Sequence, residues 1–206
     1  MSPNSKATEV VVAGHICLDI IPSLDDFRGR PADIFLPGRL VKVGKAVIST
    51  GGAVPNTGLA LHRLGVPVSL MGKLGDDMHG RAIIDMLRAR APHLADGMIV
   101  APGEETSYTV VISPPDQDRT FLHCPGANDT FAASDLPKKF PEQARVFHFG
   151  YPPLMRGMYS DCGAELAGML RQVRRQGFAV SLDMSLPDVD SPAGQADWPA
   201  ILSKAL

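Results

Sequence analysis

The sequence has few cysteines, few aromatic residues and no excess of charge of either sign. Among 206 residues there are three cysteines and one tryptophan, and aromatic residues account for 6%. The cysteines stand at wide, irregular intervals, at Cys17, Cys124 and Cys162, which excludes a dense disulfide framework or a zinc motif and favours reduced thiols. With 20 Lys and Arg against 22 Asp and Glu, the chain has no basic run that would favour nucleic acid as a partner.

Long apolar runs are also missing. No uninterrupted apolar stretch approaches the ~20 residues that a membrane helix needs, and the N-terminal MSPNSKATEV lacks the apolar segment of a signal peptide. We therefore expect no membrane partner and a cytoplasmic location. The chain has 45% hydrophobic and 20% charged residues, which is typical of a globular protein, and we expect one main domain over residues 1–206.

Short apolar segments alternate with helical patterns along the chain. They predict buried strands at 9–13, 68–72, 98–101, 146–150 and 178–183, and helices after Pro55 and at 81–90 and 161–176. This alternation predicts an α/β fold, with a doubly wound, mainly parallel Rossmann-like sheet in which sites collect at the carboxyl ends of the strands. Polar or glycine residues follow several predicted strands and favour one ligand cleft: Asp19, Gly51, Gly75, Gly150 and Asp183.

A second group of strands is too short and too polar for a parallel core. It comprises 39–43, 46–49, 106–113 and 119–124, and the last two flank PPDQD, which has the composition of a hairpin turn. We expect these strands to form a small antiparallel sheet, built from segments 16–49 and 104–128 and inserted in the main domain.

The clearest sign of a ligand site is the stretch TGGAVPNTGLALHRLGVPVSLMGKLGDDMHG, residues 50–80. Gly51 and Gly52 carry no Cβ, so that a ligand can approach their backbone N–H groups closely. Pro55 suits the start of a helix, and Asn56 then lies in the first turn with a free amide. The two glycines alone are equally compatible with an ordinary turn between a strand and a helix.

The longer pattern resembles the N-terminal signature of the ribokinase-like (PfkB-type) carbohydrate kinases. The matching positions are Gly51, Gly52, Asn56, Gly65 and the segment 75–80, GDDMHG. Val54 and Gly58 depart from that pattern, but neither change removes a polar group. The resemblance covers the chain as about the N-terminal two thirds of a family member.

The resemblance implies a sugar site beneath a β lid, and a homodimer formed through that lid. The substrate-binding residues that it implies, or that lie beside the site it predicts, are Asp19, Gly51, Gly52, Asn56, His123 and Asn128. A carboxylate at Asp19 suits a sugar because it accepts hydrogen bonds from neighbouring hydroxyls, although a surface or capping role for this residue stays open.

The resemblance also implies ATP and Mg²⁺ as cofactors, and transfer of the γ-phosphate to a sugar hydroxymethyl group. In the family, the base and the anion hole belong to a later Asp-Thr-x-Gly-Ala-Gly-Asp turn, which is missing here, so we predict no catalytic residue and expect the 206-residue chain alone to be inactive. Ser185 stands where many members have an asparagine on the phosphate side and is the predicted ATP contact. The segment 125–133, PGANDTFAA, looks like the missing turn, but it lacks the leading Asp-Thr and has Asn128 in place of the last glycine, so we do not assign Asp129 as the base.

Two other functions compete with a kinase. A non-catalytic sugar-binding or regulatory protein would use the same pocket without chemistry, and a phosphoryl-transfer assay separates the two. A dinucleotide-binding oxidoreductase is disfavoured because Gly14 is not followed by the required spaced glycines.

The remaining polar residues favour structural roles. The histidines His15, His123 and His148 lie on different predicted strands without ligand spacing, so no metal site is predicted. We expect Asp76 or Asp77 to cap a helix rather than bind Mg²⁺. Arg119 suits either solvent or an anionic group of the substrate.

Overall fold

The computed structural model describes residues 9–115 and 117–206. The sequence-based statements about the N-terminal tail and about Asp116, within the hairpin turn, concern positions outside these ranges. The described strands are β1 Val10–Gly14, β2 Cys17–Pro22, β3 Ala46–Gly51, β4 Val68–Gly75, β5 Met98–Ala101, β6 Tyr108–Ile112, β7 Thr120–Cys124, β8 Val146–Gly150 and β9 Ala179–Asp183. The described α-helices are α1 Ala53–Arg63, α2 Met78–Arg88, α3 Arg156–Arg175 and α4 Trp198–Ala205.

A parallel sheet of five strands forms the centre of the fold, in the order β5-β4-β1-β8-β9. The middle strand β1 pairs with β4 on one side and with β8 on the other, and all the pairings are parallel. Its residues are almost continuously apolar because helices cover both faces of the sheet.

The two faces of β1 belong to two separate hydrophobic cores. Val11 and Ala13 point to a core that contains Leu166 and Leu170 of α3. Val12, with the opposite direction, packs in a core with residues of α1 and α2. A mainly parallel, doubly wound α/β fold, as predicted from the alternating patterns, is confirmed.

Four strands form a second, smaller sheet in the order β3-β2-β6-β7. β2 is antiparallel to β3, and β6 is antiparallel to β7, but β2 and β6 are parallel to each other. The sheet is therefore mixed, and the prediction of a purely antiparallel sheet was wrong for that pair. The two strands come from distant segments of the chain, so no hairpin fixes their relative direction.

Two other details of the predicted strands were wrong. Residues 39–43 form no strand in the described structure, so β3 pairs with β2 instead of with a neighbour across a short turn. Asp19 does not follow the first strand directly, because β1 ends at Gly14 and Asp19 lies within β2. The helix predicted at 161–176 begins earlier, at Arg156, and is interrupted by non-helical residues at 160–163.

The chain leaves β1 at the point where the strand order of the large sheet reverses, between β1 and β8. Gly14 has φ +120° and lies so close to Gly150 that a Cβ would overlap its carbonyl group. The N–H of His15 then donates to the Gly150 carbonyl at 3.1 Å. Ligands of doubly wound sheets bind at such a reversal, outside the carboxyl ends of the strands.

A bilayer-spanning helix would need both length and apolarity, and none of the helices in residues 9–115 and 117–206 has both.

Candidate functional site

A cavity of about 750 Å³ lies at this reversal point. It receives side chains from the small sheet and from the segments that follow β1, β8 and β9. Its walls include five of the residues predicted from the sequence, namely Asp19, Gly52, Asn56, His123 and Ser185. These five positions, distant in the sequence, thus meet in one cleft.

One row of side chains crosses the face of the small sheet that lines the cavity. Cross-strand pairing places Asp19 beside Ser49 on one side and beside Thr109 on the other, and Thr109 beside His123. Paired residues point to the same face of a sheet, so these polar groups form a continuous row. Asp19, Thr109 and His123 all reach the cavity wall.

Hydrogen bonds connect this row to the end of β1. The Nε2 atoms of His15 and His123 are 3.3 Å apart, and His123 Nδ1 lies 2.9 Å from Thr109 Oγ1. Thr109 Oγ1 donates to Cys17 Sγ at 3.6 Å, and the Cys17 thiol donates to Asp19 Oδ1 at 3.3 Å. The carboxylate of Asp19 is thus the end of a chain that starts at a buried histidine.

Burial determines the ionisation of both histidines. His15 is buried, and desolvation together with the neighbouring His123 lowers the pKa of His15 to about 3. Burial also lowers the pKa of His123, with the charge of Asp129 acting in the opposite direction. Both shifts favour the neutral form of the rings near pH 7.

Burial raises the pKa of both acidic groups in this hydrogen-bond chain, the Cys17 thiol and the Asp19 carboxyl group. It raises the pKa of the Cys17 thiol well above its usual range, with a further contribution from the charge of Asp19. Cys17 therefore stays protonated and serves as a hydrogen-bond donor, not as a nucleophile. Desolvation also raises the pKa of Asp19, and the hydrogen bond from Cys17 opposes that shift.

The glycine pair leaves room for these polar groups. A Cβ at Gly51 would overlap the carboxylate of Asp19, and a Cβ at Gly52 would lie 2.6 Å from His15 Nδ1. Gly52 has φ +94° and is the N-cap residue of α1. Asn56, in the first turn of α1, has an exposed side chain on the cavity wall. Gly51 itself is buried and shapes the site by the space that it leaves to Asp19.

Asn128 does not have the position that the sequence suggested. Its side chain is fully buried and holds the backbone of Ile16, with Oδ1 accepting from the Ile16 N–H at 3.2 Å and Nδ2 donating to the Ile16 carbonyl at 2.9 Å. Nδ2 also donates to the Pro125 carbonyl at 3.1 Å. With these three bonds to the backbone Asn128 secures the segment between β1 and β2, and it is not among the residues that line the cavity.

Two further residues lie on the cavity wall: Asp129, which the sequence did not assign as the base, and Arg119, for which it left two roles open. Asp129 accepts a hydrogen bond at Oδ1 from the N–H of Arg156, the first residue of α3, at 2.8 Å. Arg119 places its guanidinium over the ring of Phe121, 5.4 Å from the ring centre, and both side chains border the cavity. Asp77, predicted as a cap, does cap α2, because its Oδ1 accepts from the Gly80 N–H at 2.8 Å.

Ser185 follows β9 and also lines the cavity. Its Oγ is buried and has no hydrogen-bond partner. An unpaired buried hydroxyl is costly unless a ligand completes its hydrogen bonding. Elsewhere in the described residues, no group of three or more His, Cys, Asp or Glu side chains has an arrangement that would hold a metal ion.

Sequence reasoning missed Cys17 and Thr109 as members of the site. Cys17 is two residues from Asp19 on the same strand. Once β2 is known, the two side chains are therefore expected on the same face of the small sheet. The position of Thr109 depends on the parallel register between β2 and β6, for which the sequence carried no signal.

Comparison with known proteins gives a consistent family. The model of the pfkB family of carbohydrate kinases matches residues 7–196. Fructokinase-1 of Zea mays is 26% identical over 196 residues, an alignment that covers 94% of this chain and 56% of the relative. Fructokinase-1 of Oryza sativa subsp. japonica is 26% identical over 199 residues and is covered to 57%.

Solved structures show the same fold. A fructokinase with bound ATP from Xylella fastidiosa has a TM-score of 0.70 at 21% identity, over 95% of this chain and 54% of that one. An Arabidopsis thaliana ribokinase complexed with ribose and ATP has a TM-score of 0.63 at 20% identity, over 87% of this chain and 54% of that one. The chain thus spans about half the length of these relatives. The family model covers nearly all of the chain, which therefore belongs to the pfkB family of carbohydrate kinases.

Proposed function

We propose that this chain is the sugar-binding part of an ATP-dependent kinase that phosphorylates a hydroxymethyl group of a sugar. The observation that carries the proposal is the meeting of Asp19, Gly52 and Asn56 at one cavity of about 750 Å³ in a chain of this family. D-fructose is the first sugar to test, because the curated relatives compared above are fructokinases.

Asp19 and Asn56 would hold the sugar from two sides. An ionised carboxylate accepts hydrogen bonds from two neighbouring hydroxyls, and an amide both donates and accepts. Gly51 would contribute by leaving space for the carboxylate, and Gly52 by letting the sugar approach the start of α1. His123 would line the sugar pocket beside Asp19, whereas the buried Asn128 would support the site from behind.

Ser185 is the residue of this chain that fits a phosphate group of ATP. Its buried, unpaired Oγ lies on the cavity wall and could donate a hydrogen bond to a phosphate oxygen. ATP supplies the phosphoryl group when it is bound. Mg²⁺ would enter with the nucleotide, since it commonly binds through substrate phosphates and one or two carboxylates.

The small sheet would act as a lid over the sugar and as a dimer interface. On the face opposite Asp19, the paired residues Ile48, Ile20, Val110 and Leu122 form an apolar row across all four strands. Ile48 is 47% exposed and Leu122 is 49% exposed. A second copy, related by a two-fold axis, would cover this row. The free thiols of Cys17, Cys124 and Cys162 fit the reducing cytoplasm.

Titration calorimetry with D-fructose tests the sugar site. Asp19→Ala should weaken binding by at least about tenfold, because a charge-assisted hydrogen bond contributes about 1.5–3 kcal/mol. The exposed Asp26→Ala is the matched control and should bind as the parent does. Equal affinity of parent and Asp19→Ala would reject the assignment of Asp19.

A transfer assay with Mg-ATP and D-fructose then distinguishes a kinase from a non-catalytic sugar-binding protein. It is run on this chain and on the same chain extended by any downstream coding sequence. Fructose phosphorylation by either protein supports the kinase. Sugar binding without transfer by both would instead favour the non-catalytic function.

A further inference from the structure

The hydrogen-bond chain behind the cavity has a direction, and His15 determines it. His15 Nδ1 is buried and has no hydrogen-bond partner, while Nε2 faces His123. Buried N–H groups without an acceptor are rarer in proteins than buried acceptors without a donor. The proton of neutral His15 therefore resides on Nε2, from which it is donated to Nε2 of His123.

This choice fixes the tautomer of the second histidine. His123 must accept at Nε2, so its own proton resides on Nδ1, which lies 2.9 Å from Thr109 Oγ1. Thr109 consequently accepts from His123, and its single hydroxyl proton is free to point to Cys17 Sγ. The thiol proton of Cys17 then points to Asp19 Oδ1. Every donor in the chain has one acceptor, and the last acceptor is the carboxylate.

The opposite direction would interrupt the chain. If His123 carried its proton on Nε2, its Nδ1 would become an acceptor and would take the hydroxyl proton of Thr109. Cys17 would then lose its donor, and its own bond to the half-buried Asp19 carboxylate would be weakened. His15 would also carry a buried Nδ1–H with no acceptor.

We propose that His15 and His123 are positioning residues, which direct the Thr109 hydroxyl to Cys17 and thereby the Cys17 thiol to Asp19. Oδ1 thereby receives its bond from the protein, and the remaining acceptor sites of Asp19 stay available to substrate hydroxyls. This inference rests on the proposed sugar-binding function of Asp19, but the direction of the chain is measurable without any sugar.

The first test is the tautomeric state of the two histidines, from the ¹⁵N chemical shifts of the imidazole nitrogens in the unliganded 206-residue chain. The expected result at pH 7 is two neutral rings, with the proton on Nε2 in His15 and on Nδ1 in His123. A charged ring in either residue, or a proton on Nε2 of His123, would overturn the proposal.

The second test removes the hydroxyl in the middle of the chain. Thr109→Val deletes it at nearly constant volume, and Thr109→Ser retains it as the matched control. The ¹³C titration of the Asp19 carboxyl group should have its midpoint about half a pH unit or more higher in Thr109→Val than in the parent, because the bond from Cys17 to the ionised carboxylate weakens when Cys17 no longer accepts from Thr109. Thr109→Ser should match the parent. An unchanged midpoint in Thr109→Val would contradict the proposed coupling.

The third test links the chain to the substrate, with D-fructose as the probe. Thr109→Val should weaken binding by about fivefold to tenfold, the usual effect of one hydrogen bond, and Thr109→Ser by no more than about twofold. Equal binding by Thr109→Val and a fructose-binding parent would exclude a positioning role. If the parent binds no fructose while the first two tests succeed, the proposed direction of the hydrogen-bond chain is supported and the proposed sugar-binding function fails.

Discussion

Gly51 lies opposite Cys17 across β2 and β3, and a side chain at Gly51 would occupy the position of the Asp19 carboxylate. The backbone at Gly51 does not have a positive φ, so alanine fits its conformation and the conflict is purely steric. A single methyl group at this position therefore displaces the Asp19 carboxylate without straining the backbone of the turn that follows.

Gly51→Ala should therefore weaken D-fructose binding by about tenfold or more, since the displaced carboxylate loses at least one charge-assisted hydrogen bond of about 1.5–3 kcal/mol. Calorimetry measures the affinity. The control is Gly168→Ala in α3, where a Cβ meets no atom within 4 Å and helix propensity favours alanine. A Gly51→Ala protein that binds fructose like the parent would show that the carboxylate is not a ligand.

Asp19→Asn should stabilise the fold at neutral pH and weaken sugar binding. Burial raises the pKa of Asp19, so the folded state favours the protonated carboxyl group. The stability that this group contributes is fully present below its unfolded pKa and is lost as the pH rises through its folded pKa. A neutral amide avoids that loss, and we expect a gain at pH 7 within the about 0.5–2 kcal/mol that is common for a single stabilising substitution.

Urea denaturation of Asp19→Asn and its parent at pH 7 measures this gain, with the exposed Asp26→Asn as control. The gain should shrink as the pH is lowered, because the parent carboxyl group then becomes protonated as well. A gain that grows toward acid pH would show that the pKa of Asp19 is shifted in the other direction.

The sequence predicted the large sheet well because each of its strands is marked locally. Strands such as β1 and β8 are short apolar runs that end at a glycine, and their parallel order follows from the helices between them. The prediction of a strand at 39–43 was wrong because it, too, used only local composition. Its β-forming composition indicated a strand, but the partner that decides whether a strand forms is β2, which pairs with β3.

The sequence predicted only those site residues that lie in or near the glycine-rich stretch 50–80 or that match the signature of the family. Gly52 and Asn56 belong to one contiguous stretch, so their common location followed from the sequence. Thr109 and Cys17 entered the site through the register of the small sheet, which depends on contacts between segments about ninety positions apart. Asn128 was misplaced because a buried amide and a ligand-binding amide look alike in sequence.

Acid should destabilise the fold through His15. Its pKa is lowered from 6.5 to about 3 in the folded state, so it contributes stability that is present above about pH 6.5 and is lost as the pH falls toward 3. Within that window the loss is about 1.4 kcal/mol per pH unit. His15→Gln cannot take up the proton, and its free energy of unfolding should fall less between pH 6.5 and pH 5, by about 2 kcal/mol.

Urea titrations at the two pH values measure the difference within each protein, so any general loss of stability in His15→Gln cancels. The control is His93→Gln, which removes an exposed imidazole and should keep the pH dependence of the parent. The same pH dependence in His15→Gln and the parent would contradict a buried, neutral His15.

A charge in the apolar row of the small sheet should prevent formation of the proposed dimer. Leu122 is 49% exposed and is the end of the row Ile48, Ile20, Val110 and Leu122, on the face opposite the cavity. In a two-fold dimer each copy would lose the burial of one leucine, about 1.5–3 kcal/mol, and the loss counts twice. Leu122→Lys should therefore raise the dissociation constant of the dimer by about two orders of magnitude or more, as measured by analytical ultracentrifugation.

The control is Leu64→Lys, which changes an 80% exposed leucine at the end of α1 and should leave the dissociation constant of the dimer unchanged. Because Leu122 points away from Asp19, the monomeric variant should still bind D-fructose; a variant that stays dimeric would place the interface elsewhere.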